Sequence, residues 1–270
     1  MSTKKSLMKS VLITGATRGI GAKTAECFLQ NGFQVFGTSR NPDKYANLFS
    51  QYEQFNLIYL DLNNNTSITS LPEKTGPVDI IIHNAGVSQI GAAEDISQEI
   101  SLRIFNTNFF GIIELNRCFL PLMRNVGYGK ILHISSLAAK IPLPFSGIYA
   151  ASKAALDAYS CSLRSEVKKY NIDVTSIYFD YVKTTLPQLE SFDENSPYYQ
   201  RVISMKKRRD ENIQKGRPAS EVAKIIFNIS RLKNAPSQVC IGKRAKLRSN
   251  LIKLLPDSLI ERIIQHKFNI

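Results

Sequence analysis

Short apolar runs rich in β-branched residues recur through the first two-thirds of this chain, and segments of helical spacing separate them. The runs are Ser10–Thr14, Gln34–Ser39, Asn56–Leu60, Val78–His83, Lys130–Ser135 and Ile172–Phe179. Their apolar residues fall on both faces of an extended chain, as in strands covered on both sides within a parallel sheet. Gly19–Asn31, Ser101–Arg124 and Tyr149–Tyr170 have the spacing and length of helices. The alternation predicts an α/β fold: a doubly wound parallel sheet of about seven strands with helices on both faces. Gln238–Ile241 is expected as the seventh strand, closing one edge.

At 270 residues the chain suits one such domain, taken here as residues 1–244. Within it, residues 185–217 are polar, charged and poorly periodic, and read as an inserted loop or lid over the substrate side. Residues 245–270 read as a basic C-terminal helical extension. No apolar run approaches the roughly 20 residues of a membrane-spanning helix. Val11-Leu12-Ile13, after Lys4, Lys5 and Lys9, is too short for a signal peptide, so cytoplasmic residence is expected. Cys27, Cys118, Cys161 and Cys240 are scattered. Neither a metal site nor a disulfide framework fits that spacing, and buried reduced thiols are expected.

The net charge of +13 is concentrated. Residues 1–200 hold 18 Lys and Arg against 17 Asp and Glu, whereas residues 201–270 hold 17 against 5. Long-range attraction for anions is therefore a property of the last quarter. That quarter has no nucleic-acid reader motif, aromatic stacking platform or zinc pattern, so nucleic acid is not an expected partner.

The first strand runs directly into Thr14-Gly15-Ala16-Thr17-Arg18-Gly19-Ile20-Gly21 and then a helix. Glycines there allow a tight turn, close approach of backbone to a pyrophosphate, and close packing of helix on strand. The N–H groups of the helix N-terminus then bind phosphate oxygens. The spacing, Gly-x-x-x-Gly-x-Gly, differs from the more familiar Gly-x-Gly-x-x-Gly, but its placement between strand and helix is that of a Rossmann-type dinucleotide site. NAD-specific sites usually place an acid at the end of the second strand to bond the ribose 2′-OH. Here the chain reads Gly37-Thr38-Ser39-Arg40. Ser39, Arg40 and Arg18 suit a 2′-phosphate instead, so NADP(H) is expected in preference to NAD(H).

Tyr149-Ala150-Ala151-Ser152-Lys153 opens the third long helix, and positions four apart share a helical face. A phenol of pKa about 10 is a poor catalyst at neutral pH; a nearby fixed cation favours phenolate and brings it toward use as a general acid–base. Ser136 stands 13 residues upstream at a strand end, with Ser135 as its rival. Farther upstream lie Asp61-Leu62, His83-Asn84-Ala85-Gly86 and Asn108.

This set and its order resemble the classical short-chain dehydrogenase/reductase family over about residues 10–185. Ile141-Pro142-Leu143-Pro144-Phe145 more weakly resembles the hydroxysteroid and retinol dehydrogenase branch. The resemblance implies an oxidoreductase acting on a small-molecule alcohol, ketone or aldehyde. It implies that Tyr149 exchanges a proton with the substrate oxygen, Lys153 lowers its pKa and bonds the nicotinamide ribose, and Ser136 polarises the substrate oxygen. It implies further that Asn108 supports a water leading to Lys153, and that Asp61 and Asn84 contact the adenosine half of the cofactor. The cofactor set is completed by Leu62, Ala85, Gly86, Val182 and Thr184, the last two toward the carboxamide. A homodimer or homotetramer through Ser101–Arg124 and Tyr149–Tyr170 is expected on the same ground.

Two departures stand out. Phe179-Asp180 replaces the Pro-Gly that usually follows the sixth strand, with Asp180 able to tolerate a left-handed turn. His83 stands where the family often has Asn, and reads as a packed polar residue. The alternative reading is a cofactor-binding regulatory or scaffold protein with little turnover, against which an intact Ser136, Tyr149 and Lys153 argue. In the tail, Leu247, Leu251, Ile252, Leu254 and Leu255 form one apolar stripe. Leu259, Ile260, Ile263, Ile264 and Phe268 form a second, with Ser258 and Glu261 spaced as a capping box. Packing on the domain or between subunits is the preferred expectation for these stripes, ahead of a peripheral seat on an anionic membrane surface.

Overall fold

The structure, a computed structural model, describes residues 8–242 and 255–268. Seven parallel strands form the central sheet: β1 (Ser10–Ile13), β2 (Gln34–Ser39), β3 (Phe55–Tyr59), β4 (Ile80–His83), β5 (Gly129–Ile134), β6 (Ile172–Phe179) and β7 (Gln238–Ile241). Their order is β7-β6-β5-β4-β1-β2-β3. The strand order reverses between β1 and β4, which opens a crevice at the carboxyl ends of those two strands.

Alternation within each strand sends side chains to two separate cores. Val11, Ile13, Ile80, Ile82, Leu132 and Ile134 pack on one face with Phe28 and Phe227. Those aromatics belong to α1 (Gly19–Gln30) and to a helix, Ala219–Arg231, near the C-terminal end of the sheet. Their rings meet edge to face at 5.0 Å. Leu12, Ile81, Ile131 and Val174 pack on the other face with Leu115, Phe119 and Leu163. Strands apolar at every position are thereby accounted for.

The segment expected as Ser101–Arg124 is a longer and composite helix. It runs through α2 (Gln98–Phe105), a single π-helical turn at Asn106–Phe110, and α3 (Gly111–Val126). The helix α4 (Gly147–Val167) starts two residues before the expected Tyr149 and ends in a short 3-10 turn, Lys168–Tyr170. Residues 185–217 are more regular than expected. They contain a short strand, Gln188–Glu190, paired with Ser88–Ile90, and the 16-residue helix α5 (Tyr199–Gln214). Val202 of α5 closes a small separate core with Ile90, Ala92, Phe145, Phe192, Tyr198 and Met205. The weak periodicity of this segment reflects a helix that buries only that narrow face. Ala219–Arg231 follows as α6.

Most of the first tail stripe, Leu247, Leu251, Ile252 and Leu254, lies outside the described residues. The second stripe forms α7 (Asp257–Phe268). The helix opens with Leu259 and Ile260 donating to the Pro256 carbonyl, so Ser258 lies inside the first turn and the expected capping box is not used. Of the four cysteines, Cys161 is exposed and the others are half-buried, so full burial does not hold for the thiols.

His83 of β4 is buried, as a packed polar residue should be, and it sits beside an equally buried His133 in register on β5. The rings are 5.0 Å apart. Asn116 of α3 lies between them: His83 Nε2 bonds Asn116 Oδ1 at 2.8 Å, and Asn116 Nδ2 meets His133 Nε2 at 3.4 Å. His133 Nδ1 bonds Ser160 Oγ at 2.6 Å, and that hydroxyl itself donates to Leu156 O. The network is consistent with two neutral imidazoles. Burial holds His83 down to about 4 and His133 well below the ordinary range. The unfolded chain therefore binds these protons first as pH falls. Stability is full above pH 6.5 and declines toward pH 4, by about 1.4 kcal/mol per pH unit for each histidine. Urea unfolding should thus show a loss of several kcal/mol between pH 7 and pH 5. His83→Asn should remove about half of that loss; an unchanged loss would place its origin elsewhere.

Candidate active site

The glycine loop crosses the crevice between β1 and β4. Gly15 and Gly19 have φ of +67° and +55°, a region side chains rarely adopt. At Gly21 the constraint is space: a Cβ would come within 2.1 Å of the Gly15 carbonyl oxygen and 2.5 Å of Asn84 Nδ2. Arg18 precedes α1 in extended conformation, and the first turn of α1 carries no acid. The turn thus presents unpaired backbone N–H groups with no competing carboxylate, an arrangement that fits a pyrophosphate. Thr17 is half-buried and Ile20 is buried in the core beneath.

The residues after β4 brace this loop. Thr14 Oγ1 accepts from the backbone N–H groups of Asn84 and Ala85 at 3.0 and 2.9 Å. Asn84 Nδ2 donates to the carbonyls of Thr14 and Gly15 at 3.0 and 3.1 Å. The Asn84 amide, expected at the adenosine, therefore holds the loop's shape. Asp61 Oδ1 accepts from both nitrogens of Asn63, closing the turn after β3, with Leu62 buried beside it. At the end of β2, Ser39 Oγ accepts from Asn41 N at 3.1 Å, while Arg18 and Arg40 are both exposed. Thr184 lies over the start of α1, where a Cβ on Gly19 would meet its Oγ1 at 2.1 Å. The Val182 side chain is buried in the core. The non-glycine residues with positive φ among those described are Phe49, Phe145 and Asn171, so Asp180 does not adopt the left-handed turn. Phe179 packs against the core.

Ser136, Asn108, Tyr149 and Lys153 converge next to the loop after β4. A Cβ on Gly86 would lie 3.2 Å from Asn108 Oδ1 and 3.8 Å from Lys153 Nζ. Asn108, in the π turn, exchanges two hydrogen bonds with the Val87 backbone and donates a third to Ser152 Oγ. Ser136 stands close enough to the Tyr149 phenol to favour its ionised form, and its hydroxyl accepts from Ala138 N at 3.1 Å. Ser135 is spent elsewhere, its hydroxyl donating to Asp157 at 2.9 Å. Geometry thus separates the two serines.

Lys153 Nζ donates to Ile134 O at 2.9 Å, and burial brings its pKa down to about 8 against the partial support of Asp157. Burial raises the Tyr149 phenol, opposed by Ser136 and by the charge of Arg209. Arg209, on α5, has no counterpart in the sequence reading. The run Lys206-Lys207-Arg208-Arg209 reads as a solvated face, and only the packing of α5 over the site distinguishes its fourth member. Arg209 borders a cleft of about 370 Å³ whose walls also include Thr184, Leu186 and Ile213 and the charged Glu190, Lys206 and Asp210.

The chain is similar to a large group of proteins. A 3-ketodihydrosphingosine reductase from Bacteroides thetaiotaomicron is 29% identical over 93% of this chain and 94% of its own. A dehydrogenase/reductase SDR family member 7B from Xenopus tropicalis is 32% identical over 80% and 72%. The crystal structure of a short-chain dehydrogenase from Streptomyces avermitilis superposes with a TM-score of 0.84 at 26% identity, covering 98% of this chain and 97% of that one. The fold is shared with two more distant structures. One is the closed form of serine dehydrogenase complexed with NADP+, at 23% identity, a TM-score of 0.74 and coverage of 86% and 94%. The other is a short chain dehydrogenase/reductase from Burkholderia phymatum in complex with NAD, at 21%, 0.78 and coverage of 90% and 92%. The short chain dehydrogenase family model matches residues 9–195, and this chain belongs to that family of oxidoreductases.

Proposed function

We propose that this protein is an NADP(H)-dependent oxidoreductase that interconverts an alcohol and a carbonyl compound, with Tyr149 as the proton-transfer group. The observation that carries this reading is the meeting of Asn108 and Lys153 at Gly86, on the helix that bears Tyr149 and beside the braced glycine cradle. The backbone of Gly15, Thr17, Arg18, Gly19, Ile20 and Gly21 would hold the pyrophosphate. Ser39, Arg40 and Arg18 would take the 2′-phosphate. Asp61, Leu62, Asn84, Ala85 and Gly86 border the adenosine side, and Val182 and Thr184 the carboxamide. When bound, nicotinamide supplies or accepts the hydride.

Burial keeps the Tyr149 phenol protonated at neutral pH, the form that donates to a developing alkoxide during carbonyl reduction. Ser136 holds the same substrate oxygen. Lys153 and Asn108 position Tyr149 and line the path beneath Gly86. A relative named for reducing a ketone on a lipid supports a lipophilic carbonyl substrate. A scaffold role without turnover is disfavoured by the presence of all four residues in one place.

Exposed Leu102 and Phe110 on the α2–α3 segment support assembly through that helix pair. In α7, Leu259 and Ile263 are 42% and 49% exposed, one turn apart, so these two do not pack on the domain. No helix among the described residues is long and apolar enough to cross a membrane. Subunit contact or a peripheral lipid seat remains for the tail. Sedimentation with anionic vesicles decides: salt-sensitive binding that is lost on removing residues 245–270 supports the lipid seat, and a supernatant protein at low salt supports subunit contact.

Tyr149→Phe should keep cofactor affinity and lose turnover by about 10²–10⁴-fold, and near wild-type rates would remove Tyr149 from the mechanism. Wild type should prefer NADPH over NADH roughly 10- to 100-fold, the scale of one charge-assisted hydrogen bond. Ser39→Asp should move that ratio toward NADH in initial-rate measurements; indifference of both proteins to the cofactor would refute the 2′-phosphate site.

A further inference from the structure

Arg209 is a half-buried cation with little to hold. Its Nη2 donates to Ser88 Oγ at 2.9 Å, and that hydroxyl already donates to the Pro187 carbonyl. Nη1 is buried with no hydrogen-bond partner among the described residues. Two acids, Glu190 and Asp210, act on the guanidinium through space. Glu190 is held by Lys206 at 2.7 Å, and Asp210 is exposed. A buried donor left unmatched is costly, by about 1–3 kcal/mol. Folding has not satisfied this group internally, and a long flexible side chain on a polar helix could have turned to solvent instead.

Position supplies the reason. Arg209 lines the cleft whose other walls include Thr184, at the nucleotide cradle, and Leu186 and Ile213. Its charge reaches the Tyr149 phenol. The guanidinium thus borders the cleft, held in place by Ser88 at the foot of the lid. A guanidinium with N–H donors to spare suits an oxyanion, and a neutral carbonyl would leave the charge uncompensated.

We infer that Arg209 is a specificity-determining residue that anchors an anionic group of the substrate, a carboxylate or a phosphate ester, close to the carbonyl that is reduced. The inference rests on the oxidoreductase reading above and narrows it to oxo acids or oxo phosphates. It also explains why a basic helix closes over the site. Lys206 also lines the cleft but is paired with Glu190, which leaves Arg209 as the cation there without an ion pair among the described residues.

The test is a set of initial rates with NADPH over matched pairs: oxo acids against their methyl esters, and hydroxyketone phosphates against the free hydroxyketones. Wild type should favour the anionic member of one pair roughly 10- to 100-fold in kcat/KM, chiefly through KM. The pair concerned tells carboxylate from phosphate. In Arg209→Met that ratio should fall toward one, and Arg209→Lys should restore part of it. Preference for the neutral member in both pairs overturns the inference, as does a ratio that survives Arg209→Met. If neither member of any pair is turned over, binding replaces rate as the readout. The anchor is then read from the melting temperature of the NADPH-loaded protein in succinate or inorganic phosphate. Stabilisation in wild type that vanishes in Arg209→Met supports it, and no stabilisation in wild type overturns it.

Discussion

The site depends on the hydrogen bonds that tie the end of β4 to the end of β1. Thr14 accepts two backbone N–H groups from Asn84 and Ala85, and the Asn84 amide returns two bonds to the carbonyls of Thr14 and Gly15. Both strands end at the reversal of strand order, where no neighbouring strand continues the ladder. Without these bonds the carbonyls of the first glycine turn would have no partner, and the turn would not hold its positive-φ shape. The same segment continues through Gly86 to Val87, which is clamped by Asn108. Asn108 reaches Ser152 on α4, one residue before Lys153. One connected set of polar bonds thus fixes the nucleotide cradle relative to the helix that carries Tyr149.

This connection also shows what sequence spacing can and cannot reveal. The sheet was legible because strands buried on both faces must be apolar at successive positions, as Val11-Leu12-Ile13 and Ile80-Ile81-Ile82 are. The residue types at Gly15, Gly19 and Gly21 were legible because each answers a backbone or steric demand. Side-chain partners were not. Asn84 spends its amide on the loop, and Lys153 turns to Ile134 O. A four-residue spacing places two side chains on one helical face without stating which groups outside the helix compete for them. The lid was least legible. Its helix buries Val202 and Met205 against a small core, and so carries too few apolar positions to produce a clear period.

Electrostatics at the carboxyl edge are set by burial more than by pairing. Burial raises Tyr149, lowers Lys153 to about 8 and lowers Arg209. Asp157 shows the same effect: its carboxyl is raised by burial although Ser135, Tyr178, Lys140 and Lys153 all oppose the shift. A site that disfavours charge on each of its own groups gains most from a ligand that brings complementary charge. Both ends of the crevice have this character, since the N-terminus of α1 has no acidic residue and Arg209 has no matched acid in contact.

Phe145 joins the rigid half of the molecule to the adjustable half. It adopts φ of 62°, a conformation that costs an aromatic residue on the order of 1–3 kcal/mol and persists only when its surroundings impose it. Its carbonyl accepts from Gly91 N and Gln89 Nε2, both at 3.0 Å, and its ring packs in the lid core beside Tyr198. Phe145 stands four residues before Tyr149, so the contacts that seat the lid are the contacts that set the entry of α4. The lid itself is held by a small apolar cluster and a few polar bonds, among them Arg209 to Ser88 and Ser191 Oγ to Asp95 O. Such an element belongs to the lower end of local stability, in contrast to the two large cores that hold the sheet. Changes on α5 can therefore alter which substrate is admitted without disturbing the cradle, whereas a change at Phe145 would be felt in both.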